Sequence, residues 1–429
     1  MERLMQANAA TNVHPKSSYR KTVLPNGIRI VSEELPHVRS ISIGVWIEVG
    51  SRNESAENNG ISHFFEHMVF KGTKRYRVHE IAQSLEKVGG YLNAFTTKEN
   101  TCYYARILDE HLPLAIDVLS DMTQFPLFEK KEMEKEKLVV LEEIKNLEDS
   151  PDELIYDYFD QNIYGKHALG MPIIGTPDNI RNISTDDLFG YLNSHYVPPR
   201  MVVAAAGNLQ HDVLVGLIEK YFRKPKSRNG KRTQKEHASK SKRKVITYGK
   251  PITQAHVCMG TVGYSVRHKL RYPLLVLNTL LGEGMSSRLF QTLREKHGMA
   301  YTIYSFANFM SDTGNFGVYI GTDAEKIDKA RELILKELEK LREKPVTGKE
   351  INRTKAQLKG SMMLSLENTS NRMMRLGTGE LFVGEQIPLD EIVKKIDAVT
   401  PEQLQEVANQ LFHEDKFCTV ILKPMNGTT

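Results

Sequence analysis

The chain has 429 residues, 40% of them apolar, enough to bury sizeable cores and to divide into two or three domains. Its 58 basic and 53 acidic side chains nearly cancel, to +5, so overall charge gives no case for a nucleic-acid partner. Cys102, Cys258 and Cys418 are odd in number and lack CxxC spacing, which argues against a disulfide framework and fits free thiols in a reducing compartment.

The first residues, MERLMQANAA, lack the apolar core of a secretory signal, and no stretch approaches ~18 uninterrupted apolar residues. Residues 1–20 therefore read as a disordered leader, no contact with a membrane is expected, and the setting reads as bacterial cytoplasm. Several bases against one acid (Glu2) in the leader leave the mitochondrial matrix as the alternative.

Thr22–Val31 contains Leu-Pro-Asn-Gly between strand-like flanks, which predicts a hairpin. Ile41–Val49 and Thr101–Leu108 are rich in β-branched and aromatic residues and read as strands. One helix is expected from Ser62. A second is expected over Glu129–Glu148, dense in Glu and Lys, with Pro126 ahead of it and Pro151 beyond it. Residues 223–244 hold many Lys and Arg, a single acid (Glu236) and almost nothing apolar, so they read as a solvated linker. Without aromatic residues to stack on bases, this segment is not expected to bind nucleic acid.

The linker separates halves of similar size, and the halves echo one another. Residues 85–119 run from a helix end through a glycine turn and two strands into another helix, and residues 293–335 follow the same order. The expected fold is α+β: two homologous domains, 21–222 and 245–429, each an antiparallel sheet flanked by helices.

The sequence His63-Phe64-Phe65-Glu66-His67 places two histidines one helical turn apart on one face, with Glu66 beside them. That is the inverted zincin pattern, in which two imidazoles bind zinc and the glutamate serves as general base. Such a site needs a third protein ligand and an open position. Glu136 and Glu143 lie two turns apart on one face of the Glu/Lys-rich helix, and spacing does not choose between them.

These motifs, with Leu24-Pro-Asn-Gly, the Val139–Ile144 segment, Arg294, Tyr301 and Thr400-Pro-Glu, resemble the pitrilysin–insulinase family of zinc peptidases across almost the whole chain. The similarity is greatest to the catalytic β type of the mitochondrial processing peptidases and their bacterial relatives. It implies a metalloendopeptidase with one Zn²⁺ per chain on His63, His67 and Glu143, with Glu136 supporting the site from outside. Zinc-bound water would be the nucleophile and Glu66 its base. Arg294 and Tyr301, seven apart, match a pair that stabilises the oxyanion. Asn93, Ala94, Phe95 and Thr96 match an edge strand that aligns a peptide or unfolded polypeptide. Glu153 and Asp157 match acids that receive a substrate arginine. The family's two-chain chamber implies a homodimer with sites shared between chains; a catalytically inactive scaffold or partner subunit of the same fold is the alternative.

Overall fold

The computed structural model describes residues 18–223 and 243–425, so most of the expected leader and linker lies outside the described residues. The Leu24-Pro-Asn-Gly segment joins β1 (Ser18–Val23) to β2 (Arg29–Glu34) as an antiparallel hairpin, with Gly27 at φ +100° closing the turn onto Leu24. β1 thus begins inside the segment assigned to the leader.

There follow β3 (Ser40–Ile47), α1 (Ile61–Met68), α2 (Val78–Glu86), β4 (Tyr91–Thr96), β5 (Thr101–Leu108), α3 (Leu112–Gln124) and α4 (Lys130–Glu148). The half closes with α5 (Pro151–Tyr164), α6 (Pro177–Asn182), α7 (Thr185–His195), β6 (Met201–Gly207) and α8 (His211–Tyr221). The second half runs β7 (Lys244–Lys250), β8 (Ala255–Val262), α9 (Arg271–Gly282), a wide-wound π-helical turn (Phe290–Lys296), β9 (Ala300–Phe309) and β10 (Gly314–Thr322). It ends with α10 (Ile327–Glu343), α11 (Gly348–Ser365), α12 (Thr369–Phe382), α13 (Leu389–Asp397), α14 (Pro401–Leu411) and β11 (Cys418–Pro424). Local chemistry sets many of these limits. Ser184 with Asp187 and Thr400 with Gln403 form capping boxes at the starts of α7 and α14, and Pro151 opens α5.

Among the described residues the sheets have the orders β1-β2-β6-β3-β5-β4 and β7-β11-β8-β10-β9. Apart from the extra strand β1, the two orders superpose strand for strand, so the echo in sequence is a repeated topology. The sheets are antiparallel except for one pair in each, β2 with β6 and β7 with β11. The exception has a simple cause. After its helices the chain returns to insert a strand beside β3 or β8, antiparallel to it, and that strand must then run parallel to its other neighbour.

Both faces of each sheet are covered, and this explains why β6 is buried throughout and β3 along all but its first residue. Along β6, Met201, Val203 and Ala205 join the core made with helices of the same half. Val202, Ala204 and Ala206 instead face α12, from the other half, together with Trp46, Met373 and Leu376. The exchange is reciprocal. Ile155, Phe159 and Ile163 of α5 pack with Cys258, Tyr319, Val420 and Leu422 of the second sheet. Residues 151–164, assigned by sequence to the N-terminal domain, therefore belong by packing to the second sheet. All three cysteines are free and buried on these exchanged faces. No helix among the described residues is long and apolar enough to cross a membrane.

A close approach occurs at Gly377 of α12, where a Cβ would stand 2.2 Å from Cε2 of Trp46. In an open helix Gly→Ala stabilises by about 1 kcal/mol. Here Gly377→Ala is expected to destabilise by about 1–3 kcal/mol through overpacking. Urea unfolding reads the sign directly, and emission from Trp46, the chain's only tryptophan, is expected to shift to the red as α12 lifts.

Candidate metal centre

The site is assembled around α1. Gly60 precedes it at φ +101°, a conformation that favours glycine. The buried carboxylate of Glu54 accepts hydrogen bonds from Gly60 N, Ser62 N and Asn59 Nδ2, each at 2.8 Å. It thereby satisfies two of the backbone N–H groups at the positive end of the helix, those of Gly60 and Ser62. Burial nevertheless pushes the Glu54 carboxyl above its ordinary range against these bonds. Tyr191 donates to Ser62 Oγ at 2.8 Å, and Phe64, Phe65 and Met68 are wholly buried. Phe65 packs edge-on against Phe128, whose φ of +50° is unusual for a non-glycine residue and marks a strained turn just ahead of α4.

With that face buried, the opposite face of α1 turns His63, Glu66 and His67 toward α4 and β4. The imidazole centroids are 4.6 Å apart. Glu143 Oε2 of α4 lies 3.9 Å from His63 Nε2 and 3.5 Å from His67 Nε2. Potential ligand atoms of all three residues fall within 4.8 Å of one another. Tetrahedral zinc with bonds of ~2.0–2.1 Å needs its ligand atoms ~3.3 Å apart, so small side-chain adjustments close the set. The donor types fit as well: two imidazoles and a carboxylate form a three-ligand zinc set with room for a fourth partner. His63 Nδ1 is buried with no hydrogen-bond partner among the described residues.

Glu136 plays a different part. Its Oε1 is 2.9 Å from His67 Nδ1, and its Oε2 is 2.6 Å from Lys71 Nζ. A carboxylate on Nδ1 favours the tautomer that leaves Nε2 free to bind metal. Glu136 is buried, which by itself raises its carboxyl; hydrogen bonds from His67 and Lys71 outweigh that and hold it below the ordinary range. Burial likewise lowers His67, but Glu136 and the charges of Glu143 and Glu66 hold the ring above its usual value. His63, lacking such a partner, is pushed by burial and then by His67 down to about 3. Glu66 accepts a hydrogen bond from Thr96 Oγ1 at 2.5 Å, and burial raises its carboxyl against that bond.

The other residues singled out by sequence lie elsewhere. Asn93–Thr96 are in β4, at the edge of the first sheet, where the Ala94 N–H is taken by Asn93 Oδ1 at 2.8 Å. Arg294 and Tyr301 meet each other: Arg294 Nη1 donates to the Tyr301 carbonyl at 2.6 Å, and its guanidinium lies 4.8 Å from the rings of both Tyr301 and Phe290. Tyr301 is 77% exposed. Glu153 and Asp157 share α5, yet no hydrogen bond joins them among the described residues. Glu153 is exposed; burial raises Asp157, with the charge of Lys98 opposing. Sequence reading missed Glu54, Lys71 and the Thr96 hydroxyl as parts of the site. Lys71, four residues beyond His67, had a helical-spacing signal; Thr96 was singled out only as part of the edge strand, and Glu54 had no signal.

A three-ligand metal set with an adjoining carboxylate, carried beside a sheet edge, is the constellation of a zinc hydrolase. Residues 29–177 match the model of "Insulinase (Peptidase family M16)", and residues 182–358 match "Peptidase M16 inactive domain". The chain is 45% identical over 399 residues to an uncharacterised zinc protease of Bacillus subtilis, covering 93% of this chain and 97% of that protein. It is 33% identical to a probable mitochondrial-processing peptidase β subunit of Arabidopsis thaliana, covering 95% of this chain and 78% of that one. A protease from Helicobacter pylori superposes with a TM-score of 0.88 at 25% identity, over 95% of this chain and all of that one. The chain belongs to the insulinase (M16) family of peptidases and is a zinc-dependent member of it.

Glu136→Ala is expected to weaken zinc binding about 10- to 100-fold, because the His67 tautomer and ring orientation lose their support. Competition with a chromogenic chelator measures it, and an unchanged Kd would remove Glu136 from the site.

Proposed function

We propose that the chain is an endopeptidase cleaving peptides or unfolded segments inside a homodimeric chamber, with one zinc per chain on His63, His67 and Glu143. The observation carrying this reading is the placement of Glu66 between that ligand set and the open edge of β4. Bound there, Zn²⁺ supplies a Lewis acid and lowers the pKa of a coordinated water to ~7. Glu66 takes a proton from the attacking water and returns it to the amine nitrogen as the C–N bond breaks. Its burial, which disfavours the charged carboxylate, suits a group that must hold a proton between these steps.

The outer edge of β4 offers main-chain groups to an extended peptide whatever its sequence. Asn93 must release the Ala94 N–H for that pairing to form. Glu153 and Asp157 on α5 are the acids proposed to receive a basic side chain of the substrate. If they do, a preference for peptides with arginine near the cleaved bond should fall in Glu153→Gln.

Arg294 and Tyr301 are proposed to stabilise the oxyanion from the facing chain, a reading supported by the exposure of Tyr301 and the resemblance to two-chain relatives. The bacterial relatives and three free thiols support a cytoplasmic setting. The family model for an inactive domain covers only residues 182–358, whereas the ligand set lies in the other half, which favours an enzyme over a scaffold.

Two measurements test the proposal. Wild type and Glu66→Gln should each hold one zinc, with cleavage of a basic peptide falling about 10²- to 10⁴-fold in the variant. Zinc-loaded wild type without peptidase activity would favour the scaffold. Separately, inactive Glu66→Gln and Arg294→Ala chains, mixed and allowed to exchange subunits, should regain about a quarter of wild-type activity, the statistical share of intact composite sites in a homodimer. No recovery would mean that Arg294 acts within its own chain.

A further inference from the structure

Thr96 ends β4 and pairs with Thr101 of β5. Its hydroxyl makes the only side-chain hydrogen bond to Glu66 among the described residues, to Oε2 at 2.5 Å, and leaves Oε1 without a partner there. The turn that follows is rigidly built. Thr97 Oγ1 accepts from Asn100 N at 3.1 Å and Glu99 N at 3.2 Å. Thr97 O and Lys98 O accept from Ser51 N and Arg52 N, at 3.2 and 2.8 Å. The two loop segments approach so closely that a Cβ on Gly50 would stand 2.2 Å from Thr97 O. Beneath the turn, buried Arg52 and Glu99 pair at 2.9 Å; Arg52 also reaches Asp312, and Glu99 accepts from Ser311 N and Oγ in the β9–β10 turn. The Thr96 hydroxyl is thus held by a fixed frame on one side, while the outer edge of its strand stays open.

We infer that Thr96 is a positioning residue for Glu66: its hydroxyl holds Oε2, so that Oε1 is the oxygen presented to the attacking water. The same residue closes the strand proposed to align the substrate. Seating of the peptide main chain and aim of the base are therefore fixed at one point, and a shift of the β4 end would misaim Glu66. This rests on the peptidase reading above. Hydrogen-bond support of this kind typically changes activity by about 10- to 100-fold.

Thr96→Val keeps the β-branched shape and removes the hydroxyl; Thr96→Ser keeps the hydroxyl. With a peptide substrate, Thr96→Val is expected to lower kcat about 10- to 100-fold, leaving KM within about twofold, with wild-type zinc content and melting temperature. Thr96→Ser is expected within about threefold of wild type. Crystals of Thr96→Val should show Glu66 spread over several rotamers. The inference is overturned if Thr96→Val keeps full kcat, if KM alone rises, if Thr96→Ser is as impaired as Thr96→Val, or if Glu66 holds its wild-type rotamer in Thr96→Val. Inactivity of wild type as well would overturn the peptidase reading instead, and the Glu66 rotamer in the Thr96→Val crystals would still decide what the hydroxyl does.

Discussion

Each sheet of this protein buries its second face under a helix from the other half, and most of the molecule follows from that exchange. A sheet covered on one side only would alternate apolar and polar residues, but β6 reads Met-Val-Val-Ala-Ala-Ala-Gly and is buried throughout. The small side chains at Ala204 and Ala206 let α12 sit close, and Gly377 lets it pass over Trp46. Polar contacts fix its register: Ser42 Oγ lies 2.9 Å from the hydroxyls of Thr369 and Ser370, and Glu33 pairs with Arg372 at 2.5 Å. At the other end of α12, the buried Glu380 gathers Lys21 at 2.7 Å and Arg29 at 3.5 Å. A buried carboxylate is tolerated only with such partners.

The exchange also reaches the metal centre through chain connectivity. α4 carries Glu136 and Glu143, and only Asp149 and Ser150 separate its end from α5. α5 is anchored in the second sheet by Ile155, Phe159 and Ile163. Glu143, the proposed third zinc ligand, therefore sits on a helix whose far end is set by the opposite half of the molecule. A second tie joins the halves near β4, where Arg52, Glu99 and Asp312 form a buried ion cluster. Removing one member would strand the others' charges in a poorly solvated place, so such clusters hold geometry more surely than they add net stability.

Within the site, neighbouring histidines are tuned in opposite directions by what lies behind them. His67 is backed by Glu136 and through it by Lys71, whereas His63 Nδ1 has no such partner among the described residues. One ring is thereby oriented by hydrogen bonding and the other by packing. Glu66 sits apart from this chain of contacts and is held from the sheet side by Thr96. Glu66 thus shares α1 with His63 and His67 but not their supports.

Much of this was legible in the sequence because it depends on local period and turn chemistry. Four-residue spacing puts His63 and His67 on one helical face wherever α1 lies; Leu24-Pro-Asn-Gly makes a tight turn whatever surrounds it; and repeated segments of similar order fold to the same topology. The parallel strand pairs, the exchanged helices and Glu54's role were not legible, since each joins residues with no fixed sequence offset. The same holds for the two glutamates of α4. Their seven-residue spacing places both on one face and determines no more than that; the family resemblance in the sequence named Glu143 the ligand and Glu136 its support. Only the tertiary structure decided that Glu143 meets the Nε2 atoms while Glu136 meets Nδ1 of His67. The reason is physical: the axial offset between α1 and α4 comes from packing of Phe64, Phe65 and Met68 beneath one helix and the anchoring of α5 beyond the other, and no local rule contains it.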